Sequence, residues 1–289
     1  MMAVGGKTKA FFSSGQSDRQ NGSGRVHKAS LFARLHCLFA LSLFFCTPQL
    51  LGQDTGITEE TSGLQVTDEQ PDSPQDDDSF VPAPKKKYMG RRIAPTMGFA
   101  HAGWLIRDER QQEEDTQQAI ENLGLKPGMM VCDMGCGNGY YSLEIAKRVG
   151  PMGKVFAVDI QQEMLHLLHL RADESKVDNI QTILGTVVDP QLPKESIDLL
   201  LMVDVYHEFS HPRQMLAKIR ESLAPKGRIA LIEFRAEDPR VPILAVHKMT
   251  KRQILREFEA NGFQLVEQYD QLPWQHLMFF GKEDSDTKE

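Results

Sequence analysis

The sequence predicts an α/β protein: a doubly wound, mostly parallel sheet with helices on both faces. Three observations carry this expectation. From residue 129 onward, short apolar segments alternate five times with amphipathic ones. The segment Ile197–Val203, IDLLLMV, is almost wholly apolar, as befits a strand covered by helices on both sides. A glycine-rich loop, Gly135-Cys-Gly137-Asn-Gly139, directly follows the first strand of the series and opens a helix.

Taken in order, residues 88–121 read as an N-terminal helical cap. Within and just beyond it, residues 107–123 are expected to form one amphipathic helix, with an apolar stripe at Ala119, Ile120 and Leu123 and a stop at Gly124. Pro127-Gly128 turns the chain into a strand over residues 129–134. Tyr140–Val149 is a helix with Leu143, Ala146 and Val149 inward, and Gly150-Pro151 ends it. Lys154–Asp159 is the second strand, 162–173 a helix, Ile180–Leu184 the third strand and Ile197–Val203 the fourth. Residues 212–223 are a helix with proline near its start, 228–234 the fifth strand, and 250–261 a helix closed by Gly262. Phe263–Tyr269 and 276–280 form a strand pair around Pro273. No internal repeat is present.

The chain has 289 residues, 40% hydrophobic and 25% charged, which excludes collagen-like, wholly disordered and polytopic membrane classes. Its net charge of −7 is unevenly spread. Residues 1–52 carry six Lys/Arg against Asp18 alone and run into the apolar stretch 38–46, the order of a signal peptide or N-terminal anchor. That stretch is shorter than the roughly 20 apolar residues of a membrane span. Residues 53–87 are expected to be a disordered acidic linker, because 53–84 hold nine acids, no Lys/Arg, four prolines and Phe80 as the single aromatic. Asp76-Asp77-Asp78 reads as a solvated charge run rather than a calcium site. The leader predicts an exported, periplasmic or membrane-anchored protein, with membrane association through this apolar segment only, and a cytoplasmic one if the leader is misassigned. Residues 85–289 hold 27 basic and 30 acidic residues, so nucleic acid is not an expected partner.

In doubly wound sheets, ligands bind beyond the carboxyl ends of the strands, where strand order reverses. Asp133-Met-Gly135-Cys-Gly137-Asn-Gly139 stands at such an end. Alternate glycines let backbone approach a ligand without Cβ interference, and the helix that follows presents free N–H groups. A dinucleotide fold calls for a third glycine five residues after the first, where this chain has Tyr140. Asp159 closes the second strand, placed to accept hydrogen bonds from a ribose diol.

The stretch DMGCGNGYYSLEIAKRVGPMGKVFAVDIQQEML, with SIDLLLMVDVYHEF and LAPKGRIALIEF after it, resembles the class I S-adenosylmethionine-dependent methyltransferase superfamily. The nearest group is the ubiquinone/menaquinone C-methyltransferase-like, small-molecule type. The resemblance covers about residues 122–281 and makes 88–289 one class I methyltransferase domain. It implies a seven-stranded Rossmann-like sheet, S-adenosyl-L-methionine as cofactor and a small-molecule substrate. By the same resemblance Asp133, Gly135, Cys136, Gly137, Asn138 and Gly139 cradle the methionine portion and Asp159 holds the ribose hydroxyls. Ile160 and Asp204 join the expected cofactor contacts. Thr186, with Asp189 nearby, stands where many relatives carry an acid directed at the adenine amino group.

Methyl transfer from a sulfonium is an in-line displacement, so most of the catalytic work is positioning. A base is needed only where the acceptor must lose a proton. Candidates after the fourth strand are Asp204, Tyr206, His207 and Glu208, with His207 best suited by its near-neutral titration; the alternative is that it lines or closes the pocket. His207-Glu-Phe-Ser-His211 satisfies the zinc-protease spacing, but Pro212 pushes His211 out of helical geometry, so no metal is assigned. His166 and His169, three apart on a helix, lack a third ligand. Cys132 and Cys136 read as small packing residues rather than a redox pair. Phe99, His101, Trp104 and Arg107 are placed to form a lid, and Glu233, Arg235, Glu237, Asp238, His247 and Lys248 follow the fifth strand at the same edge. The alternative function is a non-catalytic S-adenosylmethionine-binding or interaction module.

Overall fold

The computed structural model describes residues 81–283. The leader and nearly all of the acidic linker lie outside the described residues. Strands β1 (Lys87–Tyr88) and β2 (Arg91–Arg92) form a small antiparallel hairpin, followed by a 3₁₀ segment, Phe99–Ile106, and helices α1 (Arg110–Glu114) and α2 (Thr116–Asn122). Then come β3 (Met130–Met134), α3 (Tyr140–Val149), β4 (Lys154–Asp159), α4 (Gln162–Ser175), β5 (Ile180–Leu184) and β6 (Ile197–Val203). A short 3₁₀ turn, Tyr206–Glu208, leads to α5 (Pro212–Ser222), β7 (Leu223–Phe234), α6 (Lys251–Glu259), β8 (Phe263–Tyr269) and β9 (Gln275–Lys282).

The seven-stranded sheet has the order β5-β4-β3-β6-β7-β9-β8, with β9 antiparallel to both its neighbours and the other adjacent pairs parallel. The expected architecture is therefore the one observed. Alternation along the strands sorts the core into two layers. On one face Val131, Leu199, Leu201, Ala230, Ile232 and Phe279 pack with Ile120 and Leu123 of α2 and Ile145 and Val149 of α3. On the other, Cys132, Leu200, Met202, Leu231 and Phe280 meet Met215 and Ile219 of α5 and Ile254 and Phe258 of α6. Strand order reverses between β3 and β6, which places the binding crevice over their carboxyl ends.

Local signals hold where capping chemistry is explicit. Thr250 caps α6 by accepting from Gln253 N at 3.1 Å, and Pro212 stands in the first turn of α5. The single helix expected over 107–123 is instead broken in two. Asp115 adopts φ 48°, closes α1 and caps α2 through Gln118 N. The break lets Arg110 and Glu114, 4% and 1% exposed, turn inward as an ion pair that an apolar-stripe reading could not foresee. The predicted helix end and strand start over 223–228 also shift, since β7 begins at Leu223. Residues 82–87, read from composition as the end of the linker, are tied to the domain: Pro82 O accepts from His211 Nε2 at 2.6 Å, and Lys85 N donates to Ser210 O. No helix among the described residues is long and apolar enough to cross a membrane. Cys132 and Cys136 are free and buried, in keeping with a packing role.

The hairpin is held to the domain by one buried ion pair. Arg91 grips Glu257 in a fork, Nε to Oε1 at 2.9 Å and Nη2 to Oε2 at 3.0 Å, and Glu257 also accepts from Tyr206 Oη and Gln253 Nε2. Glu257 is fully buried, so removing its cation strands a charge at a cost of about 3–5 kcal/mol. Arg91→Ala should therefore lower the thermal midpoint by on the order of 10 °C in calorimetry, with Arg91→Lys intermediate. A midpoint within a degree or two of the parent would show that the pair does not anchor the hairpin.

Candidate functional site

The crevice is built around two carboxylates at strand ends. Asp159 ends β4 and is 7% exposed; its Oδ2 accepts from Gly137 N and its Oδ1 from Gln161 N, both at 2.9 Å. The glycine loop is thus clasped to the neighbouring strand, and Gly135 N and Cys136 N add bonds to Val158 O. Asp133, near the end of β3, lies beneath the loop and accepts from Ser142 Oγ at 2.6 Å. Burial pushes its carboxyl up to about 6, against the opposing pull of Ser142 and Arg110. Burial also raises Asp159, with the Gln161 and Gly137 N–H groups holding it down.

The loop needs glycine for steric reasons as well as conformational ones. Gly135 and Gly137 have φ +70° and +52°, and an added Cβ would lie 2.4 Å from Val205 Cγ2 at the first and 2.5 Å from Leu105 Cδ1 at the second. Leu105 belongs to Phe99–Ile106, which lies over the loop: Asn138 Nδ2 donates to Ala102 O at 2.9 Å, and Phe99 N donates to Gln161 Oε1. The segment expected to cap the pocket therefore lies against the glycine loop. Arg107 stacks on Trp104 at 3.7 Å and pairs with Glu113 and Glu114, while Arg110 Nη1 donates to Leu105 O at 2.6 Å. Between Leu105, Arg110, Asp133, Tyr140, Tyr141 and Val203 remains a cavity of only about 30 Å³. That is room for a water molecule on the Asp133 side of the glycine loop.

The remaining residues expected at the site divide. Asp204 follows β6 with φ 50° and accepts from Gln275 Nε2 at 2.6 Å, while its Oδ1 is buried without a partner. Burial, with Glu114 and Glu233 nearby, pushes its carboxyl well above the usual range. Ile160 is exposed beside Asp159; Cys136 is buried in the loop; Thr186 caps its own turn, accepting from Asp189 N at 2.9 Å. Tyr206 does not face the crevice. Its hydroxyl donates to Glu257 at 2.8 Å and its ring packs on Phe209 and Phe258, which corrects its expected catalytic role to a structural one. His207 is buried, with Nδ1 donating to Glu233 Oε2 at 2.7 Å and its backbone N to Glu233 Oε1 at 3.1 Å. Burial works to lower its titration, but Glu233 outweighs this and raises it. His207 Nε2 faces His247 Nδ1 at 3.1 Å. Residues that sequence reasoning did not assign to the site are Arg110, Glu114 and Tyr141, the last with a buried, unpartnered hydroxyl beside the cavity.

These donors fit S-adenosylmethionine. The clasped Asp159 retains lone pairs for a diol, and the unpartnered oxygens of Asp204 and Tyr141 and the buried Asp133 offer acceptors suited to a ligand carrying a sulfonium and an ammonium group.

Comparisons with known proteins agree with this geometry. A demethylmenaquinone methyltransferase of Lactococcus lactis is 26% identical over 126 residues, covering 44% of this chain and 49% of that protein. A ubiquinone/menaquinone biosynthesis C-methyltransferase of Ectopseudomonas mendocina is 29% identical over 127 residues, again 44% and 49%. The chain spans about half the length, or less, of these curated relatives and of a nocamycin O-methyltransferase of Saccharothrix syringae, 32% identical over 106 residues, 37% of this chain and 38% of that protein. A SAM-dependent methyltransferase from Aquifex aeolicus superposes with TM-score 0.61 at 22% identity, covering 64% of this chain and 98% of that one, which shows a shared fold. The Methyltransferase domain family matches residues 125–277, more than half of the sequence. With that match laid over the glycine loop, Asp133 and Asp159, the chain belongs to the class I S-adenosylmethionine-dependent methyltransferases.

Proposed function

We propose that this protein transfers the methyl group of S-adenosylmethionine to a small molecule that enters between the Phe99–Ile106 lid and the segment after β7. The observation that carries the proposal is the Asp159 carboxylate clasping Gly137 N at 2.9 Å directly beside buried Asp133. This arrangement fixes a glycine cradle and two acceptors at the point where strand order reverses. Relatives named for demethylmenaquinone and nocamycin, together with the near-balanced charge of residues 85–289, support a small-molecule acceptor rather than a nucleic acid.

The bound donor supplies an activated methyl on a positive sulfur. The protein's part is to hold donor and acceptor in line, and positioning of this kind is worth up to about 7–11 kcal/mol in favourable systems. Asp159 orients the ribose, the glycines admit the methionine portion, buried Asp133 complements its positive charge, and the unpartnered Asp204 Oδ1 offers an acceptor. Leu105 covers the glycine loop at Gly137. No free general base faces the crevice at His207, because Nδ1 is taken by Glu233 and Nε2 points at His247. The proposal therefore assigns no base role to His207.

Titration calorimetry tests it. Asp159→Ala should lose donor binding while keeping a cooperative thermal transition, and parent-like affinity would overturn the site. Incubation with methyl-labelled donor and a metabolite extract should yield a mass-shifted small molecule.

Asp133 makes the binding pH-dependent. Its folded carboxyl titrates at about 6, raised above its ordinary value, so its negative charge is present above that pH and lost below it. The Asp133 share of donor affinity should rise as pH increases from 5 to 7 and then level off. Asp133→Asn should bind weakly with a flatter profile over that interval; a profile as steep as the parent's would mean another group is responsible.

A further inference from the structure

We propose that His207, Glu208 and His247 form a binding site for a divalent transition-metal ion of the zinc class. Among the described residues, these three side chains bring one ligand atom each to within 4.8 Å of one another. His207 Nε2 stands 3.1 Å from His247 Nδ1 and 4.0 Å from Glu208 Oε1. Two imidazole nitrogens and one carboxylate oxygen at bond lengths of about 2.0–2.1 Å around a tetrahedral ion lie about 3.3 Å apart, so the observed spacings bracket the requirement. The donor set of two histidines and one glutamate is that of zinc sites which leave a fourth position open.

The surroundings point the same way. A ligating histidine commonly donates its second ring N–H to a carboxylate, which fixes the tautomer and aims the free lone pair at the ion. Glu233, fully buried, performs this for His207: Oε2 takes Nδ1–H at 2.7 Å and Oε1 takes the His207 backbone N–H. Arg91 Nη1 further pins the His207 carbonyl at 2.8 Å. Glu208 is itself oriented, with Oε1 accepting from Met97 N at 3.2 Å. Glu208 and Glu233 thus bring two carboxyl groups to the two imidazoles. His207 is buried, whereas Glu208 and His247 are only half-buried.

The cluster differs from the one the linear spacing suggests. His211, the second histidine of His207-Glu-Phe-Ser-His211, is committed elsewhere, Nε2 to Pro82 O at 2.6 Å and Nδ1 to Ser210 Oγ at 2.9 Å. The third ligand comes from 40 residues downstream, in the 3₁₀ turn Ala245–His247.

The site stands on its own ligands and does not depend on methyl transfer. Full-length, tag-free protein stripped with chelator and titrated with Zn²⁺ by calorimetry should bind one equivalent at this site, and Co²⁺ should give the visible absorption of a tetrahedral complex. His247→Ala and Glu208→Gln should each weaken binding at least tenfold with unchanged thermal transitions, and Glu233→Gln by about 10- to 100-fold. His211→Ala should bind as the parent does. No saturable binding by the parent, binding indifferent to His247 and Glu208, or binding lost with His211 instead would each overturn the proposal.

Discussion

The structure turns on Arg110, the guanidinium buried among carboxylates at the carboxyl edge of the sheet. Its Nε holds Glu114 at 2.8 Å, its Nη1 holds the Leu105 carbonyl, and its plane lies over Tyr140 at 4.5 Å. Its charge also reaches Asp133 and Asp204. Those carboxylates are the polar interior of the crevice, and isolated burial of so much negative charge would be prohibitive without a cation among them. One side chain thus joins the Phe99–Ile106 segment to the start of α3 and makes the acidic crevice tolerable. Burial first, and neighbouring acids after it, raise Asp133 to about 6 and push Asp204 well above the usual range; it is the kind of stored electrostatic cost that a positively charged ligand relieves.

The sheet was legible because its signals are local. Apolar runs such as IDLLLMV, glycine stops at Gly150 and Gly262 and the proline before α5 each name an element boundary without knowledge of its neighbours. The strands at the crevice, Asp133 and Asp159 included, followed directly. The cap was less legible, since its organisation depends on an inward ion pair: Arg110 and Glu114 look like a solvated helical face in sequence, and only the left-handed Asp115 reveals the break.

The functional side chains show the same division. Tyr206 and His207 are adjacent in sequence yet leave the turn in different directions, one into the aromatic core with Glu257 and the other toward Glu233. Sequence order cannot separate them, because the Tyr206–Glu208 turn follows neither helical nor strand periodicity for long enough to be read. His247 was visible only as one of several polar residues after β7. Its pairing with His207 arises from the loop that returns over the sheet edge, where Met249 N donates to Phe234 O.

The position of Leu105 has a kinetic consequence. Because this side chain lies against Gly137 and the space behind it is about 30 Å³, donor and lid compete for one volume. If the donor enters only where the segment is displaced, the apparent dissociation constant equals the intrinsic one divided by that open fraction. If about one molecule in a hundred is open, affinity is weakened about a hundredfold, and any substitution that loosens Asn138 from Ala102 tunes it without touching the ligand. Resting occupancy by the cofactor is then set by a hydrogen bond and a leucine in the cap as much as by the carboxylates beneath.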